Sequence, residues 1–78
     1  MNDQALERML LEGKTTAEDV LRQTAAEQVD AMTEMLLRHL PYNAVRNALH
    51  ERIRGAPLAD YMILRNAYFK HCDHVPKA

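Results

Sequence analysis

TTAEDVLRQTAAEQVDAMTEMLLRHLP, residues 15–41, is the longest stretch of this chain without a glycine or proline before its final residue, and its reading decides the fold. Thr15 and Thr16 precede Glu18 and Asp19 by three residues, the spacing of a capping box, and acids in a first turn also suit the helix dipole. A helix is therefore expected to start near Ala17. No breaker follows until Pro41, so the pattern predicts one helix over 17–40, a rod of about 36 Å at the usual rise per residue. Leu21, Ala25, Val29 (or Gln28), Met32, Leu36 and Leu40 recur by alternating steps of four and three, with Ala17 and Met35 beside them. Glu27, Asp30, Glu34 and Arg38 fall on the other side, which makes the segment amphipathic.

Working outward, Pro41 biases the residue before it away from helix, and Asn43 is placed to cap a third helix over 44–54. That helix carries Val45, Ala48, Leu49 and Ile53 on one face and Arg46, Asn47, His50 and Arg54 on the other. Gly55 ends it, and Pro57 suits the first position of a fourth helix over 57–71. Leu58, Tyr61, Met62, Leu64, Tyr68 and Phe69 cover well over half of that helix, and Ile63 lies on the remaining side. A helix apolar nearly all round is either a central core element or one that meets a second molecule. Toward the amino terminus, Asp3 can cap a short helix over 4–12, with Ala5, Leu6, Met9 and Leu10 on one face and Gly13 at its C′ position. The expected architecture is all-α: one domain over 1–78, a small bundle of about four helices with the long second helix as its spine, the fourth packed along it, and a short tail over 72–78.

Composition agrees, since the chain holds two glycines, three prolines and few β-branched residues. With 78 residues it can build one modest core. A single cysteine, Cys72, excludes an internal disulfide and fits a reducing compartment, so the expectation is a soluble cytoplasmic protein. No apolar run approaches the roughly 20 residues of a membrane span, and no signal-type segment opens the chain. The net charge of −1 hides an asymmetry: residues 1–37 hold eight acids against three bases, and residues 38–78 hold seven bases against three acids. Such lopsidedness points to pairing between the halves, to head-to-tail self-association or to a polyanionic partner.

Chemistry has little to stand on. Serine is absent, the two glycines are 42 residues apart and form no phosphate loop, and Cys72 lacks the base and orienting group of a nucleophile. His71, Cys72 and His74 carry metal-capable atoms, but their spacing is not that of a zinc site, and no metal or cofactor is expected. The basic face of Arg46, Asn47, His50, Arg52 and Arg54 could meet nucleic acid. Aligned on Gly55 as the turn of a helix-turn-helix unit, however, Glu51 falls where a small packed residue belongs, and the template does not fit. The expected function is that of a non-enzymatic regulator, adaptor or inhibitor that occupies a surface of another protein, similar in type to the small accessory proteins of phages and plasmids, with homodimerisation also expected. Tyr61, Tyr68 and Phe69, with Arg65 among them, are the expected anchors, because aromatic residues and arginine concentrate binding energy, and Arg46, His50 and Arg54 add a cationic flank. Nucleic-acid binding by the basic face of helix 44–54 is the alternative.

Overall fold

A computed structural model describes residues 3–72, and among them the chain is all-α, as expected. Five helices follow one another: α1 (Asp3–Leu11), α2 (Ala17–Gln23), α3 (Val29–His39), α4 (Tyr42–Arg54) and α5 (Leu58–Cys72), with one 3₁₀ turn, Ala26–Gln28, between α2 and α3.

Local signals account for most of the boundaries. Gly13 takes a φ of 73°, and around it the Lys14 N–H donates to the Met9 carbonyl at 2.9 Å and the Gly13 N–H to the Leu10 carbonyl at 3.2 Å. This pair of bonds closes α1 as a glycine C′ does. Thr16 caps α2, its Oγ1 accepting from the Asp19 N–H at 3.2 Å. The Asp19 carboxylate turns instead to Arg22 at 3.0 Å, so only one arm of the capping box forms. The side chain of Asp3, expected to cap α1, lies outside the described residues, as does the tail beyond Cys72.

The long rod over 17–40 does not form. α2 ends at Gln23, and Thr24 adopts an extended backbone with φ −88° and ψ 130°. Its Oγ1 donates back to the Val20 carbonyl at 2.6 Å, a local bond that competes with helix continuation. From the far side, Arg52 of α4 donates through Nε to the Leu21 carbonyl at 2.9 Å and through a terminal nitrogen to the Thr24 carbonyl at 3.2 Å. The Val20, Leu21 and Thr24 carbonyls thus keep partners at the break. Breaking the rod lets α2 lie against α4 while α3 contacts both α4 and α5.

A second boundary differs as well. α4 starts at Tyr42, two residues before the expected position, and Asn43 does not cap it. Pro41 itself holds the cap position, its carbonyl accepting from the Ala44 and Val45 N–H groups at 3.1 and 3.2 Å. The early start places Tyr42 where its hydroxyl donates to the Cys72 carbonyl at 2.8 Å, tying the end of α5 to the start of α4.

Leu21, Val29, Leu36, Val45, Leu49 and Leu64 are fully enclosed, and Leu6 and Leu10 bring α1 onto the same core. Each such side chain contributes about 1.5 to 3 kcal/mol relative to leaving it exposed. Met32, Leu40 and Ile53 pack half-buried against this cluster, whereas Ala25, expected on the apolar stripe, is exposed at the break. Polar contacts also join the two halves of the chain: Glu7 meets His39, and Asp30 pairs with Lys70 at 3.2 Å and lies 2.6 Å from the His71 ring nitrogen. Among the described residues, no helix is long and apolar enough to cross a membrane.

Candidate functional surface

α5 turns only Leu64, Ala67 and Cys72 into the core. Tyr68 packs half-buried against it, and the other large apolar residues stay outside: Leu58 is 90% exposed, Met62 55%, and Tyr61, Ile63 and Phe69 each a little over 40%. Of these, Leu58, Tyr61 and Phe69 stand around a cleft that the turn between α4 and α5 creates. The Gly55 N–H donates to the Glu51 carbonyl and the Ala56 N–H to the Ile53 carbonyl, and Pro57 then starts the chain on its return. This tight reversal sets the end of α4 beside the start of α5 and opens a hollow of about 600 Å³.

Half-buried Ile53, Ala56 and Tyr68 form the deeper part, and exposed Leu58, Tyr61 and Phe69 stand around it. Three nitrogen-bearing side chains, His50, Arg54 and Arg65, complete the lining, and no carboxylate is among the described residues that form it. The aromatic rings brace each other. Tyr68 meets His50 edge-on at 5.1 Å between centroids and Phe69 edge-on at 6.1 Å. Arg65, one turn before Phe69, lies over its ring with the guanidinium carbon 4.6 Å from the centroid, the geometry of a cation–π contact. Arg54 reaches back to Glu51 at 3.2 Å, an exposed pair within one helical turn. Glu51 belongs to a separate, polar recess on the other side of α4, shared with Glu18, Arg22 and Arg52.

Six of the seven residues singled out in the sequence, His50, Arg54, Tyr61, Arg65, Tyr68 and Phe69, therefore meet in one place. The seventh, Arg46, is not part of the lining; the Tyr68 hydroxyl beside it raises its pKa above the ordinary value, with the charge of Tyr68 and that of Tyr42 acting in the same direction. Sequence reasoning missed the contribution of Ile53, Ala56 and Leu58. Leu58 carried a signal, since a large aliphatic residue directly after a Gly55-Ala56-Pro57 reversal stands at the open end of its helix.

The basic face proposed for nucleic acid is reduced by the fold. Arg52 turns inward to α2 and Arg54 is paired. The metal-capable residues near the end of α5 also go separate ways. His71 meets Asp30, while Cys72 is buried, and this burial pushes its thiol pKa up. His74 lies outside the described residues.

Comparison of this chain with protein-family models, with curated proteins and with solved structures finds no match.

Proposed function

We propose that this chain is a non-enzymatic regulator, adaptor or inhibitor that acts by seating part of another protein in the α4–α5 cleft. One observation carries the reading: a small domain leaves Leu58, Tyr61 and Phe69 exposed together, around a hollow lined also by Tyr68, Arg54 and Arg65. Contiguous apolar exposure of this kind marks interaction surfaces, and Tyr and Arg are the residues in which binding energy concentrates. Nucleic acid on the basic face of α4 has less support, because Arg52 and Arg54 are already engaged within the chain.

A photo-crosslinking side chain installed at Leu58, with a control at Glu34 on α3, tests the proposal. The protein captured from native host cells at Leu58 and not at Glu34 is then purified and titrated against wild type, Tyr61→Ala and Phe69→Ala. Each truncation is expected to weaken the complex by about 1 to 3 kcal/mol with the thermal melt unchanged. Equal affinity for all three chains removes the cleft from the interface.

A further inference from the structure

We infer that the segment seated in this cleft is an acidic amphipathic helix of a different protein, whose carboxylates flank its apolar anchors; the inference rests on the docking reading above. Charge supplies the first argument. The lining holds two arginines and no carboxylate; Arg54 shares its charge with Glu51 in an exposed pair, which leaves Arg65 as the cation that a partner meets. Arg65 is held by its stack on Phe69, and among the described residues no carboxylate pairs with it. Stacking fixes the plane of the guanidinium and leaves its edge of N–H donors open, which suits bidentate recognition of a carboxylate.

The second argument concerns which molecule brings that carboxylate. A second copy of this chain is poorly equipped: Glu7, Glu12, Glu18, Asp19, Asp30 and Glu51 are engaged internally, Glu27 and Glu34 stand on segments without an exposed large hydrophobic residue to serve as an anchor, and Asp60 lies on α5 itself. Two-fold pairing through α5 would also bring Arg65 toward its own copy, and like charges brought together at an interface are costly. A nucleic acid could offer phosphate to the same arginines. Yet Arg65 already covers a face of Phe69, and Tyr68 is half-buried with its ring against His50 and Phe69, which leaves Tyr61 as the freest ring for a base in a lining otherwise aliphatic at Ile53, Ala56 and Leu58. Aliphatic and aromatic side chains are the natural filling.

Form follows from the surface. No strand edge exists among the described residues, so an extended peptide has no ladder to join. The exposed row Leu58, Met62, Arg65, Phe69 steps by four, three and four along about 16 Å of α5. A helix laid along it presents anchors at i, i+3 or i+4, and i+7 in the same rhythm.

The test pans a display library of randomised helical peptides about four turns long against the whole chain, then measures the enriched peptides by titration calorimetry. Enrichment of Asp and Glu next to Leu, Phe or Tyr anchors is expected, with affinity at least about ten-fold weaker for the R54E/R65E double variant. R54Q/R65Q, which keeps the stems and removes the charges, gives the same loss if R54E/R65E folds poorly by circular dichroism. Enriched peptides without acidic bias, or with affinity unmoved by both double variants, overturn the inference and leave cleft docking standing, provided Phe69→Ala still weakens them. Peptides indifferent to Phe69→Ala, or no enriched peptide at all, overturn both. A doubled mass in light scattering that Phe69→Ala abolishes, or salt-sensitive binding of a single-stranded oligonucleotide that displaces the peptides, also overturns the inference by assigning the cleft to a second copy or to nucleic acid.

Discussion

Arg52 of α4 closes the end of α2: its Nε donates to the Leu21 carbonyl at 2.9 Å, thirty-one residues away in the chain. Together with the bond to Thr24, it supplies partners that a helix end otherwise seeks from its own sequence or from water. Replacing Arg52 by Ala is expected to lower stability by about 1.5 to 3 kcal/mol, the range for hydrogen bonds from a charged donor. Lys at this position recovers only part, because one ammonium does not reproduce the fork. Urea unfolding of the three chains checks this, and equal midpoints for wild type and Arg52→Ala would show that the cap contributes nothing.

Leu36 and Leu58 make a matched pair of tests, one 0% and the other 90% exposed. Leu36→Ala is expected to cost about 2 to 5 kcal/mol. Leu58→Ala should stay within about 0.5 kcal/mol of wild type, as surface changes do. A large loss from the second substitution would mean that Leu58 is covered when the protein is alone in solution.

Thr33 is fully enclosed in α3, and its Oγ1 has no hydrogen-bond partner. A buried unpaired hydroxyl costs about 1 to 3 kcal/mol on the scale of protein mutations. Thr33→Val keeps the shape and removes the polar atom, so its melting temperature is expected to rise. A lower melting temperature would show that the hydroxyl is satisfied in solution.

Asp30 joins the start of α3 to the end of α5, and its pKa is lowered from the ordinary 3.8, chiefly by the hydrogen bond with His71; burial opposes this, and Lys70 adds to the lowering. A carboxylate whose folded pKa lies below its unfolded value stabilises the fold above the unfolded value. That contribution disappears as pH falls through the folded one. Asp30→Asn is therefore expected to flatten the decline in stability below about pH 4, where an unperturbed aspartate titrates. Parallel declines for the two chains across pH 2 to 6, measured by denaturant titration on a scale where aspartate pKa values of about 3.9 fall inside the window, would deny Asp30 this role.

Residues 15–41 made the helical class legible, and the faces of Leu21, Leu36, Val45 and Leu49 were readable from their spacing. Gly13, Thr16 and Gly55 marked ends of helices because their effects act within one turn of the chain. For the same reason Tyr61, Arg65, Tyr68 and Phe69 could be picked out as one cluster: they share a helix, and aromatic and arginine side chains at helical spacing are visible without a fold. Whether that cluster faced the core or the outside was not visible, since α5 is apolar nearly all round and periodicity distinguishes sides only when they differ.

Tertiary structure decided the rest. The helix over 17–40 breaks at Thr24 because Arg52 arrives from another helix to hold the freed carbonyls, and because two short helices can cover the same core from different directions. The start of α4 at Tyr42, directly after Pro41, is accompanied by a bond from Tyr42 to the far end of α5. The cleft likewise exists only once the turn at residues 55–57 sets Ile53 and Arg54 beside Leu58 and Tyr61. Sequence alone determined what depends on neighbours within a helical turn; the fold determined what depends on groups brought together from distant positions, whose hydrogen bonds and contacts have no local signature.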